Sequence, residues 1–287
     1  MIRVALAIAI AAPATAWAQQ APASVDLEVY ATPQTVARLP DGRRLNFYCA
    51  GTGPVTVILE GGWTASSASW RKVQPELAKH SRVCSYDRAG YGFSDPGPLP
   101  RDADAIVADL RAGLKAAGIK PPYLIVGHSL GGMLARHFAA KAGRDVVGMV
   151  LVDPAAEYQG RRTARLVPAS GKADAEFIEA VKTCATAIIE RRAPVDGPCV
   201  SPASKSLPAS VNAARLTLQN TPGYQRSALS ELLSMESATS DEVAASRKRY
   251  PNLPLIVLTA DQTAINPDLS PADQKAATKI WWDMHAE

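Results

Sequence analysis

The chain has 287 residues, with 31 Lys and Arg against 27 Asp and Glu, a formal charge of +4. That balance is mild and its basic residues are scattered, which excludes a nucleic-acid-binding character. At 47% hydrophobic residues it can bury a large core, and its length suits one α/β domain, with or without an insertion.

Residues 1–18 read as an export signal. Arg3 gives a basic start, Val4 to Ala12 an apolar run, and Ala16-Trp17-Ala18 a small-x-small cleavage site before Gln19. The run is shorter than the ~20 residues that cross a bilayer, and Pro13 breaks it. No later stretch is long and apolar enough to span, so the expectation is a periplasmic or secreted protein, not an integral membrane protein. Export to an oxidising compartment makes the four cysteines disulfide candidates. Their spacing resembles no metal knuckle, and nothing in the sequence calls for a metal or a cofactor.

Residues 19–34 are polar and Pro-bearing, an extended lead-in. "VARLPDGRRLNFYCAG" predicts two strands across a Pro40-Asp41-Gly42 turn. "VTVILE" (55–60) predicts a buried strand, "WRKVQPELAKH" (70–80) a helix, and "RVCSYD" (82–87) another strand. "DADAIVADLRAGLKAAG" (102–118) has apolar residues at helical intervals and Asp at its start, where the helix dipole favours it. A strand at 123–127, a helix at 130–142 and a strand at 146–153 follow. Alternating strands and helices imply a parallel sheet covered on both faces.

After Asp153 the pattern changes. From about 155 to 250 the chain is rich in Ala, Ser and Pro and has no convincing buried strand. The spacing in "EFIEAVKTCATAIIE" and "SALSELLSMES" predicts packed helices, the composition of a lid. "LPLIVLTAD" (253–261) returns to the sheet pattern, and a helix begins near Pro271, with its tryptophans expected to face the core.

The chemistry concentrates at "YLIVGHSLGGMLARHFAA" (123–140). A strand runs into Gly127-His128-Ser129-Leu130-Gly131, and a helix leaves it. Glycines two residues either side of Ser129 make room for a nucleophile on a sharp strand-to-helix turn. The following helix aims its unpaired N–H groups at the reaction centre. A serine hydroxyl also needs an imidazole within reach. Four histidines are present. His128 adjoins the nucleophile and is expected to point away from it. His137 lies two helical turns below, and His80 closes a surface helix. His285 stands third from the end.

These residues resemble the α/β-hydrolase family. "VTVILEGGWTASSASW" is similar to its strand and oxyanion loop, with Glu60 where a His is more usual. "VCSYDRAGYGFSDPGP" resembles its D-x-x-G-x-G-x-S segment, in which Gly90 and Gly92 shape a tight loop. The likeness covers about 36–153 and 253–261. It implies a doubly wound, mostly parallel sheet with a helical cap insertion: a first core part at 19–154, the cap at 155–250 and a second core part at 251–287. By the family pattern, the oxyanion-hole amides are Leu130 and either Gly62 or Trp63; Trp63 also suits a substrate wall or packing under the cap. The acid is Asp153, ending the strand after the elbow helix, or Asp261, following the strand after the cap. The order Ser–Asp–His nominates His285. Yet the family's histidine follows one further strand, which is not found before Glu287, so the chain is expected to stop short of both. The resemblance implies a serine hydrolase acting on an ester-like small-molecule substrate through an acyl-enzyme on Ser129; the missing histidine offers the alternative of a truncated fragment or a fold kept for binding without turnover. The family's strand order makes the Cys49 and Cys84 strands neighbours, and Cys184 and Cys199 fall together in the cap.

Overall fold

Seven strands form one sheet in the order β1-β2-β4-β3-β5-β6-β7 in the computed structural model, which describes residues 26–192, 197–247, 252–260 and 269–287. The export signal at 1–18 and Asp261 lie outside the described residues. β1 (Thr35–Arg38) and β2 (Arg44–Ala50) form a hairpin in which Ala37 faces Leu45. Asp41 shapes its turn by accepting from the Arg43 N–H at 3.0 Å. β2 runs antiparallel to β4 (Arg82–Tyr86). From β4 onward the sheet is parallel, through β3 (Thr56–Glu60), β5 (Tyr123–His128), β6 (Val146–Val152) and β7 (Leu255–Leu258).

β3 is buried at all its positions, so its sequence shows no alternation of apolar and polar residues. Ile58 points to one face, packed with Phe47, Leu110, Leu114, Ile125 and Phe138. Val57 and Leu59 point to the other, with Val83, Val126 and Trp70. Each such side chain contributes roughly 1.5–3 kcal/mol by leaving water. α2 (Ala103–Ala116) starts where Asp102 accepts from the Ala105 N–H, and it buries Ile106, Val107, Leu110 and Leu114. α3 (Leu130–Ala142) leaves the end of β5.

Two local expectations change. The lead-in contains a 3-10 turn, Leu27–Ala31, drawn in by burial of Tyr30 edge-on against Tyr48. The helix expected over 70–80 shrinks to α1 (Gln74–Leu77), with a 3-10 turn at Ser67–Trp70 before it. Buried Trp70 faces the core, while Gln74 turns inward to donate to the Tyr48 and Val83 carbonyls.

Between β6 and β7 the described residues form α4 (Gln159–Leu166), α5 (Pro168–Ile189), α6 (Ala209–Gln219), α7 (Pro222–Met235) and α8 (Ala238–Ser246). Disulfides join Cys49 to Cys84 and Cys184 to Cys199. The first staples paired residues of β2 and β4; the second ties α5 to the segment before α6.

β7 pairs only with β6 among the described residues, and Leu255, Ile256 and Leu258 are each about half exposed. α9 (Pro271–Ala286) begins where the Ser270 hydroxyl accepts from the Asp273 N–H. Its tryptophans do not both face the core: Trp282 is 48% exposed, whereas Met284 is buried. Among the described residues no helix is long and apolar enough to cross a membrane.

Candidate active site

Ser129 occupies the single residue between β5 and α3, with φ 54° and ψ −126°. A positive φ is costly for a residue with a Cβ, by about 1–3 kcal/mol, and persists only where the surroundings impose it. Here the Ser129 N–H donates to the Val152 carbonyl at 3.2 Å, and the Ser129 carbonyl accepts from the Gly132 and Ala155 amides at 2.8 and 2.9 Å. Both flanking glycines are forced by close approach. A Cβ on Gly127 would lie 2.2 Å from the Gly131 carbonyl oxygen, and one on Gly131 would lie 2.3 Å from that of Glu60.

The loop after β3 lies against this turn. A Cβ on Gly62 would come within 3.1 Å of the Ser129 Cβ and 3.3 Å of His128 Nδ1. Among the described residues the amides of Gly62, Trp63 and Leu130 donate to no protein acceptor; Leu130 stands at the open N-terminus of α3. Trp63 lines the cavity and also packs under the insertion. Its ring meets Phe177 edge-on at 6.0 Å, and its Nε1 donates to the Ala228 carbonyl of α7 at 2.7 Å.

A cavity of about 670 Å³ opens at this point. Gly61, Gly62, Trp63, His128, Ser129 and Val152 line it from the core, and Leu207, Arg215, Leu218 and Tyr224 from the insertion. Its described lining contains two guanidinium groups, Arg71 and Arg215, and no carboxylate. Arg71 donates to the Ala68 carbonyl and the Ser206 hydroxyl. Arg215 donates to Asn212 and to the Ser201 and Pro202 carbonyls.

Asp153 directly follows β6, with φ 45°. Its Oδ1 accepts from the Ala260 N–H at 3.1 Å and from Trp281 Nε1 at 2.8 Å. No described histidine hydrogen-bonds Ser129. The His285 ring packs at a tilt against Trp281; its Nε2 meets the Pro154 carbonyl and its Nδ1 the Thr259 hydroxyl, both at 2.8 Å. His137 is buried and meets Asp104 at 2.8 Å; burial holds its pKa below the usual imidazole value. His80 is exposed. His128 does not simply turn away from the site, since its ring lies beside Gly62 in the cavity wall. Asp104, His137 and Glu242 gather their ligand atoms within 4.8 Å. Lys141 occupies Asp104 at 2.7 Å and Glu242 accepts from the Asp104 N–H, so the cluster joins α2, α3 and α8 by pairing.

Sequence reasoning missed the groups behind the loop. Glu60 is 1% exposed and accepts from Arg88 Nη1 at 2.8 Å and from the Tyr86 hydroxyl at 2.5 Å. Burial pushes its carboxyl above the usual range. Asp87, also raised by burial, accepts from the Ser67 and Phe93 amides and from Asn46. It ties the segment after β4 to the one after β3. The D-x-x-G-x-G-x-S pattern carried that signal: a Cβ on Gly92 would sit 2.2 Å from Asp87 Oδ2.

A family model described as alpha/beta hydrolase fold matches residues 55–188, from β3 through the elbow to α5. The chain has the α/β-hydrolase fold. Among solved structures, an α/β-hydrolase fold protein from Burkholderia ambifaria aligns with a TM-score of 0.56 and 20% identity, over 82% of this chain and 83% of that one. The epoxide hydrolase CorEH aligns with a TM-score of 0.54 and 21% identity, over 77% and 80%. At such identities the likeness is one of fold. The uncharacterized protein YqjL of Bacillus subtilis is 41% identical over 105 residues, 37% of this chain and 42% of YqjL. Lipase LipV of Mycobacterium tuberculosis is 35% identical over 118 residues, 41% and 44% of the two chains. The matched stretch thus spans less than half the length of either relative.

Proposed function

We propose that this chain is an exported serine hydrolase that cleaves carboxylic esters through an acyl-enzyme on Ser129. The observation that carries the reading is the positive-φ serine between β5 and α3, set against unpaired amides at the mouth of a cavity. Oγ attacks the ester carbonyl as its proton passes to a general base, a role that no described histidine fills by a bond to Ser129, and negative charge builds on the carbonyl oxygen within reach of the Leu130 amide and that of Gly62 or Trp63. Pre-set donors at that point matter most: losing one costs about 10²–10³ in rate. Collapse of the tetrahedral intermediate expels the alcohol, and water releases the acid. Asp153 is the acid supported by geometry, because it directly follows the strand beside the elbow and is already oriented by two donors. The helices between β6 and β7 act as a cap, supplying the far wall of the cavity. Their Arg215, with Arg71, favours esters that carry a second, anionic group.

Lipase LipV lends support from sequence to the ester reading. Serine chemistry is favoured over epoxide or haloalkane opening, which needs an aspartate at the elbow.

A second reading follows from His285, whose two ring nitrogens are both engaged away from Ser129. On that reading the chain keeps the fold and binds ligands without turnover. Hydrolysis of 4-nitrophenyl butyrate by the chain and by Ser129→Ala separates the two. A rate lost in Ser129→Ala supports the enzyme; equal rates remove Ser129 from any chemistry and favour the binding protein.

A further inference from the structure

Arg88 is 2% exposed, yet all five of its N–H donors are used. Nε and Nη2 grip both oxygens of Glu231 at 3.0 and 2.9 Å. Nη1 reaches Glu60 at 2.8 Å and the Gly61 carbonyl at 2.7 Å; Nη2 reaches the Gly62 carbonyl at 2.6 Å. Glu231 stands on α7 of the insertion, 143 residues away in sequence, and is held by the Tyr91 hydroxyl at 2.7 Å. One guanidinium therefore joins the insertion to the two carbonyls of the oxyanion loop.

The planarity of the peptide bond makes this consequential. In a trans peptide the C=O and N–H point in opposite directions, and the 61–62 and 62–63 bonds are trans. Drawing the Gly61 and Gly62 carbonyls toward Arg88 turns the Gly62 and Trp63 amides the other way, and those are the two candidate oxyanion donors. The same Gly62 is the residue whose Cβ position abuts Ser129. A buried ion pair is weak evidence for stability, since desolvation offsets its attraction; what this pair fixes is direction. We infer that Arg88 is the positioning residue of the oxyanion loop and that Glu231 sets Arg88, so seating of the insertion governs the aim of the oxyanion donors. This rests on the serine-hydrolase reading and deepens it.

The Ala65 N–H, bonded to the Gly62 carbonyl at 3.1 Å, reports on the loop without any turnover. Its hydrogen exchange is compared in the wild type, Arg88→Met, Glu231→Ala and Leu233→Ala, the last an exposed control on α7. Exchange is expected to quicken ~10-fold or more in Arg88→Met and Glu231→Ala and to stay unchanged in the control. With 4-nitrophenyl butyrate, kcat is expected to fall ~10²-fold in Arg88→Met while KM moves little, the pattern of a lost transition-state contact. Arg88→Lys, unable to span Glu231 and two carbonyls, is expected to restore the melting temperature but not kcat. If Arg88→Met does not fold, Glu231→Ala carries the same readings from the insertion side. Unchanged Ala65 exchange in a folded Glu231→Ala protein overturns the inference. So does a fall in melting temperature alone, with kcat and exchange intact. Hydrolysis that survives Ser129→Ala instead defeats the serine reading, and the exchange measurement then still decides the link.

Discussion

At the scale of single residues, the site depends on backbone strain held in place by close packing. Ser129 accepts a positive φ because its amide and carbonyl are tied to Val152, Gly132 and Ala155, and because two glycines leave room around it. Asp153 is held through one oxygen, Oδ1, by the Ala260 amide and the Trp281 indole. Asp153→Asn keeps an oxygen able to accept both bonds, so the fold is expected to persist with an unchanged melting temperature. Ester hydrolysis is expected to fall by ~10²–10⁴ when the carboxylate charge is removed; an unaltered rate transfers the acid's role to another residue. The elbow was legible because its constraint is local: five residues encode the turn, the serine at its crest and the helix start. Arg88 was not, because its meaning depends on Glu231, whose place beside it only the folded insertion decides. The base was not legible either. A histidine's position in sequence says nothing of where its nitrogens are held, and His285 proves to be bonded to Pro154 and Thr259.

At the scale of elements, helices and strands with strong local signals formed where the pattern placed them. Asp102 caps α2 and the Asp41 turn closes the β1–β2 hairpin. The segment 70–80 departed because Trp70 and Gln74 are claimed by the sheet, which leaves only four helical residues. The insertion is fastened to the core by charge. Glu157 meets Arg136 of α3 at 3.1 Å and Arg247, just past α8, at 2.9 Å. Burial alone would raise its carboxyl, but the Arg247 and Arg136 guanidinium groups win and hold it at about 2, against an ordinary 4.5. A carboxylate depressed on folding adds stability above its unfolded value, and that stability is lost as pH falls toward the folded value. Unfolding midpoints in denaturant are therefore expected to drop between about pH 5 and pH 2 in the wild type. In Glu157→Gln the midpoint is expected to be lower at neutral pH and flatter across that window. A variant that tracks the wild type at every pH would show that the pair does not fasten the insertion.

At the scale of the whole molecule, sheet and insertion enclose a cavity whose described lining carries guanidinium groups without carboxylates. An ester with a second, ionised group is expected to gain from this field. The wild type should prefer 4-nitrophenyl hemisuccinate to 4-nitrophenyl butyrate in kcat/KM. In Arg71→Gln/Arg215→Gln that preference should fall ~10-fold, the equivalent of about 1.4 kcal/mol. Salt should narrow it in the wild type, because half-exposed charges are screened within ~8 Å at physiological ionic strength. Equal handling of the two esters would leave the arginines as staples of the loop carbonyls they already bind. The edge of β7, which among the described residues pairs only with β6 and carries three half-exposed aliphatic side chains, is the other large-scale feature, and unpaired edges favour association.

The most direct test of the account is whether the Ser129 hydroxyl reacts where it stands. Intact-protein mass spectrometry after incubation with an aryl fluorophosphonate, followed by peptide mapping, reads this without requiring turnover. The expected result is a single adduct on Ser129, absent from Ser129→Ala and slowed in Arg88→Met. An unmodified chain, or the same adduct mass in Ser129→Ala, would contradict a nucleophilic serine at this turn.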